Sequence, residues 1–238
     1  MTGVSQTPSL ESQAVCRLPA DALQSCLPME HTQPAVHIEA RTLNFTESIE
    51  RELIGRFRHR WYNDFHRWGH QSEEGTEFDS FDERSLHVGV LNESGLLAYC
   101  RLIPWSEDEV PILRSFPDLA ARLRGEERRC AEVSRLLRDL DRPTTVGPGS
   151  LTTSLYKLMF QNCRERTLWV FEAEKHLIRL LRIFGFLVEC EEFGMAKAYQ
   201  GRHGPEKTHP AVIDVDACRV HLHATTPDLM AWMEALDS

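Results

Sequence analysis

Cys130-Ala131-Glu132-Val133-Ser134-Arg135-Leu136-Leu137 is the stretch from which the architecture can be read outward. The side-chain period of a strand puts Glu132, Ser134 and Leu136 on one face and Val133, Arg135 and Leu137 on the other. Downstream, Ser150 is placed to cap a helix running from Leu151 to about Cys163, with Leu151, Leu155, Leu158, Met159 and Cys163 along one side. Residues 168–171 then read as a short buried strand.

Upstream, residues 36–40 alternate as a first strand, and a helix is expected from Glu47 to Phe65, with Glu47, Glu50 and Glu52 at the positive end of its dipole. Residues 86–91 and 96–103 read as paired strands joined by the turn Asn92-Glu93-Ser94-Gly95. Residues 112–123 read as wholly or partly helical. Toward the C-terminus, a helix over 173–184 stops at Gly185. At least one strand is expected within 186–198 and another over 211–215. Thr226 is placed to cap a last helix with Leu229, Trp232, Met233 and Leu236 on its apolar side. This order of elements argues for an α/β domain, a mixed sheet with helices on its faces. Residues 1–34, with Pro8, Pro19, Pro28 and Pro34 among many Ser and Gln, read as a flexible N-terminal extension to a single domain over 35–238.

The 238 residues carry a net charge of −9, which argues against a nucleic-acid partner because phosphate binding wants a basic face. The arginine-rich stretch 122–138 runs against that sign and can receive an acidic carrier or a phosphate-bearing ligand. No apolar run reaches the ~18 residues of a membrane span, and the first thirty residues lack a secretory pattern. Seven widely spaced cysteines without a CxxC fit reduced thiols, so a cytoplasmic protein without a membrane partner is expected.

Five pieces carry chemistry. Arg58 and Tyr62 are four apart and share a helix face, with Trp68 just beyond; cation and rings suit a charged, partly planar ligand. Glu77-Phe78-Asp79-Ser80-Phe81-Asp82 packs three carboxylates into six residues, which need cationic partners or water. Arg101 interrupts an apolar strand. Phe116 follows Ile112 and Leu113. Glu132 lies in the strand quoted above, where a carboxylate can act as a general base. Taken singly, each also fits a plainer role: an aromatic helix end, a solvated acidic loop, an outward strand arginine, a core ring, an edge-strand charge.

In this order and at these separations, Arg58, Tyr62 and Trp68, then Glu77-x-Asp79-x-x-Asp82, then Arg101, Phe116 and Glu132-x-x-Arg135 resemble the signature of acyl-homoserine-lactone (autoinducer) synthases. Residues 112–119 and 179–186 are similar to that family as well, and the resemblance covers about residues 50–194. It implies a fold like that of the GCN5-related N-acetyltransferases: a twisted mixed sheet with helices on both faces, split between two strands, here 130–137 and 168–171, to admit a pantetheine arm. It also implies acyl transfer from acyl carrier protein or coenzyme A to S-adenosylmethionine, with no separate cofactor and no metal. Glu132, Arg135 and Asp79 would be catalytic. Arg58, Tyr62, Trp68, Asp82, Arg101 and Phe116 would bind substrate. Arg122, Arg124, Arg128 and Arg129 are expected, from charge alone, to meet an acidic carrier. Tyr62 stands where the family usually has Phe. Phe171 stands where many members have a small polar residue near the acyl pocket, and would shorten that pocket if it points inward.

Asp82-x-x-Ser85-x-His87 and Ala131-Glu132-Val133-Ser134-Arg135 also resemble N-acyl amino-acid synthases and exosortase-associated acyltransferases, which share the fold but use another amine. A binding module that kept the fold and lost turnover is a second alternative. His221 and His223 would share a face if they lie on a strand, but no further metal ligand stands at useful spacing.

Overall fold

The computed structural model describes residues 38–65, 75–106, 110–139, 141, 150–190, 197–201 and 204–235. All belong to one compact unit, His37–Ser238. The expected extension over 1–34 and Trp68 lie outside the described residues.

Eight strands form one twisted sheet. β1 (Glu39–Leu43), β2 (Leu86–Asn92), β3 (Gly95–Pro104) and β4 (Cys130–Arg138) follow one another antiparallel. β5 (Leu168–Glu174) lies parallel to β4, and β8 (Gly204–Asp214) antiparallel to β5. β6 (Val188–Glu189) and β7 (Lys197–Gly201) share the other edge of β8. The parallel pair is short: Cys130, Ala131 and Glu132 face Leu168, Trp169 and Val170, and the pairing stops there. β4 runs on to Arg138 and β5 to Glu174 unpaired with each other, so the sheet splits just beyond Glu132.

Alternation along β3 assigns the faces. Ala98, Cys100 and Leu102 join the largest core with Leu155, Met159 and Phe160 of α4 (Leu151–Asn162) and Ile178 and Leu181 of α5 (Lys175–Ile183). Tyr99 and Ile103 point the other way. Tyr99 meets Ile54 of α1 (Ser48–His59), and Ile103 meets Ile112, Leu113 and Leu119 of α2 (Pro111–Ser115) and α3 (Pro117–Arg122). Helices therefore cover both faces, as the sequence implied.

Several boundaries move. β1 spans Glu39–Leu43; residues 36–37 of the expected strand, and Leu236 of the expected last helix, lie outside the described residues. The expected helix to Phe65 is α-helical only to His59 and widens to a π-turn over Arg60–Phe65. Residues 112–123 form two short helices broken at Phe116, since Pro117 starts the second. The strand at 168 extends to Glu174 and α5 starts at Lys175.

Val215, expected to end a strand, opens α6 (Val215–Thr225), where Asp214 Oδ1 accepts the Ala217 N–H at 3.0 Å. His221 and His223 thus lie on a helix, two residues apart and on different sides. Among the described residues no group of three or more metal-ligating side chains occurs. Thr226 precedes α7 (Pro227–Glu234) without capping it; its hydroxyl donates back to the Leu222 carbonyl at 3.5 Å. Ser150 does cap α4, accepting the Thr153 N–H at 3.3 Å. The five described cysteines are free thiols. No helix among the described residues is long and apolar enough to cross a membrane.

Candidate active site

The site starts from a glycine. The strap carrying Glu77 lies against α1, where the Glu77 N–H donates to the Gly55 carbonyl at 3.0 Å. A Cβ at residue 55 would stand 2.4 Å from the Phe78 ring and 2.9 Å from Thr76, so a larger residue would lift the strap. The two aspartates then fold their own turn. Asp82 Oδ2 accepts the Asp79 N–H at 2.8 Å and Asp79 Oδ1 accepts the Phe81 N–H at 2.9 Å.

Three arginines meet these three carboxylates. Arg58, 0% exposed, donates from Nε to Glu77 and from Nη1 to Asp82 Oδ1 at 2.6 Å. Arg101, 1% exposed, donates from Nη1 to Asp82 and to Asp79 Oδ1 at 2.7 Å, and from Nε to Ser134 Oγ at 3.1 Å. Arg135 Nη2 reaches Glu77 Oε1 at 3.0 Å and Asp79 Oδ2 at 3.3 Å, and its guanidinium lies 4.9 Å over the Tyr62 ring. Charges match in number, which is what allows such groups to be buried together. Burial alone would raise the Asp79 pKa, but the Arg101 hydrogen bond and charge outweigh it and hold the carboxyl below its usual range. Arg58 Nη2 and Arg135 Nε are buried without a hydrogen-bond acceptor among the described residues. Arg58 Nη2 stands 3.7 Å from Asp79 Oδ2, within the ion-pair cluster.

Simple alternation would have sent Arg135 away from Glu132 and Ser134. The structure corrects this. Arg135 takes φ 58°, and the β3–β4 register jumps so that Tyr99 faces Leu137 while Arg101 faces Ser134. This bulge brings Arg135 to the same side as Ser134 and turns Leu136 toward the α4 core. A non-glycine residue at such a φ costs about 1–3 kcal/mol, offset here by the ion pairs that hold it.

Glu132 sits at the root of the split, 7% exposed, with Oε2 accepting the Ile112 N–H of α2 at 2.7 Å. Burial pushes its pKa up to about 7, against the Ile112 hydrogen bond and the Arg101 and Arg135 charges, which favour ionisation. A carboxyl poised there exchanges a proton readily at neutral pH.

Of the residues expected from sequence, Arg58, Asp79, Asp82, Arg101, Arg135 and Tyr62 gather in one network, with Glu132 joined to it electrostatically. Phe116 is buried at the α2–α3 break, its N–H on the Ile112 carbonyl at 3.0 Å, in the same core as Val170. Phe171, 6% exposed, packs into the α4 core on the opposite face, away from the charged network. Arg129 is drawn to Glu126, Asp214, Asp216 and Thr167. The arginine run 122–129 ends where β4 begins, and the paired residues Cys130, Ala131 and Glu132 separate it from the split. Sequence reasoning placed Glu77 in the carboxylate cluster and the signature without assigning it a separate part, and gave no site role to Ser134 or Gly55. An isolated glycine inside a helical pattern, three residues before Arg58, was the available signal for the last.

No family model and no curated protein matches the chain. Solved structures do match in fold. A CoA-dependent acyl-homoserine lactone synthase, BjaI, described with SAM and isopentyl-CoA, superposes with a TM-score of 0.57 at 20% identity over 83% of this chain and 98% of that one. The AHL synthase LasI gives 0.59 at 14% identity, over 81% and 96%. FeeM, an N-acyl amino acid synthase from uncultured soil microbes, gives 0.58 at 19% identity, over 78% and 95%. The fold of this chain is the one these synthases share.

Proposed function

We propose that this chain is an acyltransferase that makes an N-acyl-homoserine lactone signal from S-adenosylmethionine and an acyl thioester. The observation that carries the reading is Glu132: a buried carboxyl with a pKa of about 7 at the root of the β4–β5 split, beside a neutralised cluster of arginines and carboxylates. The thioester arm would lie in the split. Glu132, through a water, takes a proton from the α-amine. The amine attacks the thioester carbonyl, the C–S bond breaks and a thiol leaves. The substrate carboxylate then attacks its own γ-carbon and expels methylthioadenosine, a step for which the sulfonium is already a good leaving group and positioning supplies much of the rate. Arg135 and Asp79, the partly exposed members of the cluster, would meet the substrate carboxylate and its cationic part, with Arg58, Asp82 and Arg101 bracing them from below. Tyr62 and Phe116 line the site, with Trp68 assigned to it by resemblance. A fold neighbour described with SAM and isopentyl-CoA supports the substrate pair.

The test incubates purified protein with S-adenosylmethionine and a panel of acyl-carrier-protein and acyl-coenzyme A thioesters. Mass spectrometry should find acyl-homoserine lactone and methylthioadenosine, and both should vanish in Glu132→Ala. The likeness to FeeM is as good as that to LasI and favours one second reading, N-acyl amino-acid synthesis. Thiol release with a free amino acid, and no methylthioadenosine, would select it.

A further inference from the structure

His87 makes none of the bonds to the arginines, yet it underlies them. It is 1% exposed, stands opposite Arg101 in the β2–β3 register, and stacks on Phe45 at 4.7 Å with ring planes 10° apart. Its Nε2 is 2.8 Å from the Asp82 carbonyl oxygen and its Nδ1 is 2.6 Å from the Tyr99 hydroxyl. A carbonyl can only accept, so Nε2 carries the hydrogen. Burial holds the His87 pKa below the ordinary histidine value; the Asp82 contacts oppose this, and the Arg101 and Arg58 charges add to it. The ring is therefore neutral at neutral pH, and Nδ1 accepts from the Tyr99 O–H. Both ends of the imidazole are committed, and they fix one tautomer. The groups facing it are Asp82 from the turn, Tyr99 and Arg101 from β3 and Arg58 from α1.

The residue at the end of this chain is the carboxylate that Arg58 and Arg101 share. The Asp82 carboxylate accepts from the Asp79 N–H, from Arg58 and from Arg101. Its direction depends on the short helical turn Asp82–Arg84, whose first carbonyl His87 holds. Packing against Phe45 would be served as well by a phenyl ring. The carbonyl also accepts the Ser85 N–H at 3.1 Å, which closes the turn on itself; a side chain with a donor at its far end adds the bond that ties the turn to β2.

We propose that His87 is a positioning residue of the acyl-transfer site: as the neutral Nε2–H tautomer, braced by Tyr99, it holds the Asp82 carbonyl and so sets the angle at which the Asp79–Asp82 turn presents its carboxylates to Arg58 and Arg101. It touches no substrate and acts through Asp82. The turnover part of this claim rests on the acyl-transfer reading above; the tautomer and the arginine geometry do not.

Two variants separate the donor from the ring. His87→Phe keeps the stack on Phe45 and loses the donor. His87→Gln loses the ring and places an amide N–H where Nε2 stood. In His87→Phe, kcat should fall roughly 10²-fold, the cost of misplacing a site by about an ångström, with KM for the thioester unchanged because the donor binds in the split. His87→Gln should recover most of that loss. The Arg58 and Arg101 Nε–H resonances, read by NMR without any turnover, should move in His87→Phe and stay in His87→Gln. The imidazole ¹⁵N shifts of the unmodified protein should report the Nε2–H tautomer. An Nδ1–H tautomer or a charged ring at neutral pH would overturn the proposal even if a variant failed to fold. So would a His87→Phe protein with unmoved arginine resonances. Absence of turnover in the unmodified protein would sink the acyl-transfer reading alone.

Discussion

On one face of the sheet, Val88, Cys100, Leu102, Trp169 and Ala211 meet Leu155, Met159 and Ile178 in an apolar core, with Lys157 over Trp232 and Arg219 over Phe160. On the other, Arg58 and Arg101 are buried as deeply as any of these, between the small apolar cores around Ile54 and Ile112. The first face gains from every methylene it removes from water. The second gains little net, because the desolvation of each ion offsets most of its pairing. One face supplies stability, and the other holds charged groups at fixed distances around the end of the split. Glu132 belongs to the second face by burial and by its bond to Ile112, while its strand neighbour Val133 belongs to the first.

The largest effects come from breaking each face once. Asp82→Ala leaves Arg58 and Arg101 without their shared carboxylate and should cost about 3–5 kcal/mol in urea unfolding. Phe171→Ala, on the apolar face, should cost a similar ~3–5 kcal/mol through the cavity it leaves. The repairs differ. Phe171→Leu should return much of the loss, because volume is what that site needs. Asp82→Asn should not, because the missing quantity is charge. If Phe171→Leu also leaves acyl-chain preference unaltered, the idea that this ring limits the acyl pocket is wrong.

Glu132→Gln sharpens the contrast by setting stability against activity. The folded pKa of about 7 lies above the ordinary 4.5, so the folded state holds its proton more tightly than the unfolded chain. Stability therefore falls as pH rises from about 4.5 to about 7, by at most about 3 kcal/mol, and the penalty is complete above that window. Glu132→Gln should lose this pH dependence and, above pH 7, melt higher than the parent. Turnover should rise with pH through about 7 as the base loses its proton, and should fall roughly 10²–10⁴-fold in the variant. A variant that is no more stable at pH 8 than the parent would mean that the carboxyl is not desolvated as described.

Gly55→Ala is smaller. Alanine would favour helix by up to about 1 kcal/mol, but its Cβ would meet the Phe78 ring at 2.4 Å. Displacing the strap should outweigh the helix gain and leave a net loss of about 1–2 kcal/mol, with a larger fall in turnover because Glu77 and Asp79 move with it. Equal stability and activity would show that the strap can shift freely.

The two faces were unequally legible in the sequence. The apolar one follows from periodicity: Leu155, Leu158 and Met159 on α4 and the alternation of β3 are local patterns, and they were readable. The charged one was readable as a set of residue types, since three carboxylates within six residues need cationic partners or water. Its assembly was not. Arg135 joins Ser134 only because a bulge, invisible to a period of two, turns it over. Glu132 is buried against α2, twenty residues earlier in the chain, and burial raises its pKa against the Ile112 hydrogen bond. α6 was missed because Val215, Cys218 and Leu222 are a thin stripe among polar residues, although Asp214 stood in the cap position.

The smallest expected effect tests whether the bulge matters beyond its ion pairs. Ser134 Oγ accepts from Arg101 Nε at 3.1 Å, and this is the bond by which β4 braces the arginine that Asp79 and Asp82 hold from the other side. Ser134→Ala removes one acceptor from a charged donor that is 1% exposed. The stability cost should be about 1–3 kcal/mol if the donor is left bare, and nearer 1 if a water enters. Arg101 would keep its two carboxylates, so the fold and the grip of the turn should persist. What should change is the freedom of Arg101 to swing away from β4. Its charge near Glu132 is one of the influences holding that carboxyl down, so the acid limb of the pH–rate profile should move upward in Ser134→Ala. An unmoved limb with an unchanged melting temperature would show that Arg101 is fixed by the aspartates alone, and that the serine on the bulge is only a neighbour.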